Sequence, residues 1–141
     1  MTTSETTAGC DKPSAGVDWN GLLAAARQAA TRAHAPYSNY PVGAAALTES
    51  GKLVTGCNVE NASLGLTLCA ECGLVSQLVL SGGGRLAAFT CVNAAGEVIT
   101  PCGRCRQLLL DHGGLSMRVL SPAGEVTLAD LLPQAWVNTE R

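Results

Sequence analysis

Three features of the chain predict an α/β fold in which a mixed sheet is covered by helices on both faces. An early hairpin signal is followed by strand-length and helix-length segments in alternation. Apolar residues make up 47% of the 141 residues, enough for one packed core at a length typical of one domain. No internal repeat or linker-like stretch interrupts the chain after its first residues.

Residues 1–16 are rich in Thr, Ser, Gly and Ala without periodicity, and are read as a disordered tail before a single domain at 17–141. Asp18 is placed to cap a first helix. Trp19, Leu22, Leu23, Ala26, Ala30 and Ala33 then recur at three- and four-residue steps, and Pro36 is read as its end. Val42 to Thr48 and Leu53 to Cys57 flank the turn residues Glu49-Ser50-Gly51-Lys52, a hairpin pattern. Asn58 to Ser63 is polar and irregular. A second helix is predicted from about Leu68, with Leu74, Val75, Leu78 and Val79 on one face.

Ser81-Gly82-Gly83-Gly84 closes that helix. Phosphate-binding glycine runs lie between a strand and a helix start, whereas this one follows a helix and precedes a strand. Leu86 to Asn93 reads as a third strand and Ala94 to Glu97 as a turn. A helix from about Gly103 stops at Gly113-Gly114, followed by strands at Ser116–Leu120 and Glu125–Leu128 and a brief helix at Leu128–Leu132.

Composition narrows the function. Net charge is −2, with nine Lys and Arg in no dense cluster, and the aromatics are two Trp, two Tyr and one Phe. A polynucleotide-binding protein normally carries a basic stripe and stacking residues, so long nucleic acids are disfavoured as partners. Charged residues are only 14% of the chain, which hints at surface buried between subunits. The opening residues have neither a basic start nor an apolar run, and no stretch approaches the roughly 18 apolar residues of a membrane span. Seven cysteines in that setting point to a reducing, cytoplasmic location and to metal binding or chemistry over disulfides.

The chemistry concentrates in Cys69-Ala70-Glu71 and Pro101-Cys102-Gly103-Arg104-Cys105. Three thiolates can hold Zn2+ and leave its fourth position for water. A non-ligating Glu two residues after the first ligand, followed later by Pro-Cys-x-x-Cys, is the pattern of zinc deaminases, including their all-cysteine form. Both cysteine groups fall at predicted helix starts, where free N–H groups and the helix dipole favour thiolates. The alternative is a structural four-sulfur site with Cys72 as fourth ligand, serving protein or nucleic-acid binding. Glu71 and Pro101 weigh against it.

Beyond the cysteines, Ala35-Pro36-Tyr37-Ser38, Val42-Gly43-Ala44-Ala45, Gly56-Cys57-Asn58-Val59-Glu60-Asn61-Ala62-Ser63, Arg106-Gln107 and Leu131-Leu132-Pro133 stand in a fixed order. With them the chain resembles the small homotetrameric, three-cysteine cytidine deaminases from about Asp18 to Trp136. That resemblance implies a three-layer α/β/α sandwich with a five-stranded mixed sheet whose first two strands are antiparallel. It implies Cys69, Cys102 and Cys105 as ligands of one zinc per subunit and Glu71 as the proton shuttle. It also implies Asn58 and Glu60 on the sugar hydroxyls, Tyr40 beside the base and the backbone of Ala70 at the pyrimidine edge.

Three positions depart from the family pattern. Similar proteins usually carry an Arg after the catalytic Glu, where this chain has Cys72, so Arg104 or Arg106 and the helix dipoles are expected to supply the missing positive charge. Leu64 stands where an aromatic is common near the neighbouring subunit's site, and Trp136 replaces a usual Phe that contributes to a partner's pocket. The implied reaction is hydrolytic deamination of cytidine and 2′-deoxycytidine in pyrimidine salvage. A modified cytosine nucleoside such as blasticidin S is the alternative substrate.

Other chemistry-bearing residues read as structural. Cys57 and Cys91 are expected to be small buried groups, Cys10 an inert tail residue, and His34 and His112 helix-end charges. Asp111 and Asp130 are read as solvated or capping charges.

Overall fold

The computed structural model describes residues 16–139, so all but the last residue of the tail expected at 1–16, Cys10 included, lies outside the described residues. The elements are α1 (Trp19–Ala30), β1 (Val42–Thr48), β2 (Leu53–Cys57), a 3-10 turn at Leu64–Leu66, α2 (Ala70–Leu80) and β3 (Leu86–Asn93). They continue with β4 (Val98–Ile99), α3 (Gly103–Gly113), β5 (Arg118–Ser121), β6 (Gly124–Thr127) and α4 (Leu128–Leu131). Among the described residues, no helix is long and apolar enough to cross a membrane.

The sheet runs β2-β1-β3-β5-β6, with β3–β5 parallel and the other pairs antiparallel. Those five strands are the ones the sequence predicts. The sixth, β4, pairs with the end of β3 through Cys91↔Ile99 and Val92↔Val98. Two residues are too short for a periodic signal. The strand exists because Asn93 organises the preceding turn: its Oδ1 accepts from the N–H of Ala95 and of Glu97, and its Nδ2 donates to Glu97 Oε1.

Alternation along the strands builds three layers. Ala45 on β1 and Ala88 and Val92 on β3 pack with Leu22, Ala26 and Ala30 of α1. Ala44, Ala46, Phe89 and Cys91 face the other way, onto Leu74, Val75 and Leu78 of α2 and Leu109 and Leu110 of α3. Two glycines set the spacing of these layers. A Cβ on Gly43 would collide with the backbone of Ala26 and Ala30, and one on Gly56 with Ala70 O and Leu74 N.

Asp18 caps α1 as predicted, its Oδ1 accepting from Gly21 N–H at 3.0 Å. The helix ends at Ala30, well before Pro36. There a competing long-range pairing takes the chain away: His34 N–H donates to Asn58 O at 3.0 Å and Glu60 N–H to His34 O at 2.8 Å. His34 is therefore a bridge residue beyond the helix, whereas His112 does lie in the last turn of α3. Asp130 completes a capping box with Thr127 on α4. The Thr127 N–H bond, at 2.9 Å, holds its carboxyl below the ordinary range.

Candidate metal centre

Two helices begin side by side, each with a cysteine as N-cap. Cys69 precedes α2 and Cys102 precedes α3, both in extended backbone, at helix starts whose first N–H groups lack intrahelical partners. β2 and the close Gly56 contact fix the start of α2, and β4 delivers Thr100-Pro101-Cys102 to the start of α3. The Sγ atoms of Cys69, Cys102 and Cys105 all lie within 4.8 Å of one another, although 33 residues separate Cys69 from Cys102.

The Cys69 and Cys102 sulfurs are 3.8 Å apart. Tetrahedral zinc with bonds of about 2.3 Å requires sulfur–sulfur edges of about 3.8 Å, so this donor pair fits the ion without rearrangement. The protonation balance agrees. Burial pushes the Cys69 and Cys105 thiols up, and neighbouring negative groups, Glu71 among them, push further. Burial also opposes Cys102 ionisation, but hydrogen bonds from Cys105 and Cys69 outweigh it and the thiol titrates below its ordinary value. Three thiolates this close together without a cation are thus disfavoured, and a divalent metal would make the cluster stable as an anion.

Cys72 is not in this group. Its sulfur lies 3.5 Å from Nη2 of Arg104, and the same Nη2 is 4.0 Å from Cys69 Sγ. Hydrogen bonding to Cys69 is the main reason the Arg104 guanidinium holds its proton more tightly than usual. Arg106, the other arginine expected at the sulfurs, is turned away. Its Nε donates to Pro101 O at 2.8 Å and its Nη1 to Leu131 O at 2.7 Å. It ties the turn before Cys102 to α4, so of the two expected sources of charge only Arg104 reaches a sulfur.

A cavity of about 180 Å³ opens beside the cluster, walled by Cys69, Ala70 and Glu71 from α2 and by Ile99, Thr100, Pro101 and Cys102 from the β4–α3 connection. Val42, Asn58, Thr67 and Cys91 complete it. Glu71 is 3% exposed and Ala70 1%, so the carboxylate is withdrawn from bulk water at the cavity wall. At well under the roughly 300–1,000 Å³ of drug-sized sites, this volume suits one small ring. A larger hollow of about 360 Å³ lies elsewhere, lined by Arg85, Gln107 and Trp136 among others, and none of its lining residues is a cysteine.

The remaining expected site residues divide. Asn58 lines the cavity and braces its rim, its Oδ1 accepting from Val42 N–H at 2.8 Å and its Nδ2 donating to Tyr40 O at 3.1 Å. One amide N–H of Asn58 is left for another acceptor. Glu60 and Tyr40 sit outside the wall. Glu60 Oε1 accepts from Tyr37 and Ser38 N–H at 3.0 and 3.1 Å, and Oε2 from the Ser38 hydroxyl. The Ser38 hydroxyl is the main reason its carboxyl titrates below the ordinary value. Tyr40 is 49% exposed and Leu64 78%. Trp136 is exposed and anchored to its own chain by Gln107 Nε2, which donates to its carbonyl at 3.0 Å.

Sequence reasoning assigned Cys91 to packing alone. It is buried, as expected, but it also lines the cavity, donating to Ile99 O at 3.3 Å, and its thiol is pushed up by burial first and by Glu71 second. The missing signal is the β4 pairing that carries Ile99 opposite it. Cys57 is half-buried and lies outside the cavity wall.

Relatives share this architecture and these segments. The cytidine and deoxycytidylate deaminase zinc-binding region matches residues 19–119. A cytidine deaminase of Mycobacterium tuberculosis is 57% identical over 120 residues, spanning 85% of this chain and 90% of the relative. The crystal structure of a cytidine deaminase from Mycobacterium tuberculosis superposes with a TM-score of 0.84 at 56% identity, over 86% of this chain and 99% of that one. The structure from Burkholderia pseudomallei gives 0.76 at 39% identity, over 85% and 100%.

Proposed function

Because the chain belongs to the cytidine and deoxycytidylate deaminase family, we propose that it hydrolyses cytidine and 2′-deoxycytidine to uridine and 2′-deoxyuridine with release of ammonia. The observation that carries this is a triangle of three sulfurs beside a buried carboxylate on one cavity wall. Cys69, Cys102 and Cys105 would hold one zinc ion, which when bound lowers the pKa of a water toward about 7 and acts as a Lewis acid.

Everything else is work for the chain's own groups. Glu71 accepts a proton from the attacking water and delivers it to N3 of the pyrimidine as the water oxygen bonds to C4. It then accepts the second water proton and passes it to the amine, so that C4 loses ammonia and becomes the carbonyl carbon of uracil. A carboxylate that must accept and donate in turn suits a position shielded from bulk water. The Ala70 backbone faces the pyrimidine edge, and the free N–H of Asn58 serves a sugar hydroxyl. Glu60, charged and acceptor-only, takes further sugar hydroxyls, repels a 5′-phosphate and so favours nucleosides over CMP, with Tyr40 beside the base.

Residues 17–141 would form the catalytic domain of a cytoplasmic homotetramer working in pyrimidine salvage. Helix α2 is apolar on almost every side, and Val79, Leu80, Leu64 and Leu66 are exposed around it, a surface that calls for a second copy. Leu64 and Trp136 would then wall a neighbour's pocket. The cytoplasm keeps thiols reduced, which suits the six free cysteines of the described residues. The test is loss of cytidine absorbance with and without a zinc chelator. Chelator-sensitive loss is the expected result, and no loss on cytidine or deoxycytidine by zinc-loaded protein overturns the assignment.

A further inference from the structure

Cys72 and Arg104 have no role in the reaction as just described, yet they touch each other and the metal cluster. Arg104 sits in the first turn of α3, between Cys102 and Cys105 in sequence, and its guanidinium crosses to the first turn of α2. One nitrogen, Nη2, faces both Cys69 Sγ and Cys72 Sγ. The link therefore joins the two helices that carry the three sulfurs, from the solvent side, since Arg104 itself is exposed.

Several other basic groups of the described residues are committed elsewhere. Arg106 holds two backbone carbonyls, Lys52 caps the far end of α2 through Ser81 O and Gly83 O, and Arg118 pairs with Glu125. Three thiolates on a divalent zinc leave a net charge of −1. A guanidinium donating to one of those sulfurs offsets that charge and holds the thiolate's direction, as outer partners of metal ligands generally do. Cys72, outside the donor triangle, offers a soft, weakly accepting surface that keeps the long side chain from swinging into solvent.

We infer that Arg104 is a positioning residue of the metal centre and that Cys72 is its anchor, the two acting as one unit that tightens zinc binding. This rests on the zinc assignment above and adds what holds Cys69 in place.

The test is a double-mutant cycle on the full chain, reading zinc affinity by competition with a colorimetric chelator. Arg104→Ala should weaken zinc binding by about 10- to 100-fold, the usual loss for an outer partner. Arg104→Lys should recover only part of it, because an ammonium is more strongly hydrated than a guanidinium and gives up water less readily to face two soft sulfurs. Cys72→Ala should cause a smaller loss, and the double variant should be no worse than Arg104→Ala alone. Far-ultraviolet circular dichroism of each variant checks that affinity changes do not come from misfolding. The inference is overturned by zinc affinity within twofold of wild type in Arg104→Ala, by strictly additive losses, or by complete loss of zinc in Cys72→Ala. Wild-type protein that binds zinc but leaves cytidine intact would instead sink the proposed reaction, and the cycle would still decide the role of the pair.

Discussion

Gly56 of β2 lies so close to Ala70 of α2 that a methyl group on its α-carbon would overlap the Ala70 carbonyl oxygen and the Leu74 amide nitrogen. Both obstacles are backbone, so neither can rotate away. Replacing Gly56 by Ala must lift the start of α2 from the sheet, and that start carries Cys69 and Glu71. Gly56→Ala should cost about 1–3 kcal/mol in urea unfolding, the usual range for overpacking, and should reduce deamination even in the folded fraction. Gly65→Ala, with nothing within 4 Å, is the matched control and should stay within about 0.5 kcal/mol of wild type. Equal stabilities for the two variants would mean that β2 and α2 are not held this close.

Glu71→Gln keeps the shape of a side chain that is 3% exposed but removes its ability to accept a proton. Turnover should fall by at least the roughly 10²–10⁴-fold typical of acid–base groups, while one zinc per chain remains by metal analysis. Near-normal turnover in the zinc-loaded variant would take the proton-shuttle role from Glu71.

Metal removal should act on stability as well as on rate. The raised Cys69 and Cys105 thiols become a compact cluster with thiolate charge only when a cation is present. Free zinc at 100 times its dissociation constant should stabilise the fold by about 2.7 kcal/mol relative to chelator-treated protein. Cys102→Ser should abolish that gain, while Cys72→Ala should keep one zinc per chain at saturation. A Cys72→Ala protein that cannot be loaded would restore the four-sulfur structural site.

Glu60 provides a pH signature. Its folded-state pKa lies below that of an ordinary glutamate carboxyl, chiefly through the Ser38 hydroxyl. A depressed carboxyl contributes stability fully above its unfolded pKa and loses it as pH falls through the folded pKa. The stability gap between wild type and Glu60→Gln should therefore be constant above about pH 5.5 and shrink as pH drops below about 4. A gap that widens toward acid would reverse the sign and remove the Ser38 interaction as its cause.

Substrate choice tests Glu60 separately. Wild type should deaminate cytidine far faster than CMP, and Glu60→Gln should narrow the ratio mainly through KM. Equal rates on both substrates in wild type would show that no carboxylate guards the 5′ end.

Much of this was legible from periodicity and capping chemistry. Asp18, the hairpin around Gly51 and the glycines after α2 and α3 each act over a few residues, so a sequence window contains the whole cause. The failures have two causes, a distant partner for α1 and, for β4, an element too short to show a period. Helix α1 stops at Ala30 because His34 pairs with Asn58 and Glu60, and β4 exists because Asn93 folds two residues back onto β3.

The metal centre shows the same division most sharply. In sequence, Cys69-x-x-Cys72 and Cys102-x-x-Cys105 are equivalent, and both become an N-cap plus a residue in the first helical turn. Sequence determined which atoms were on offer: four sulfurs, one carboxylate and two arginines near two helix starts. Packing against the sheet then rotated each helix about its own axis. On α2 it turned Glu71 inward and left Cys72 out of the donor triangle, and on α3 it buried Cys105 and left Arg104 exposed. A local pattern fixes the spacing of side chains along a helix, but which side faces the core depends on the apolar surface it meets, and that surface comes from strands far away in the chain.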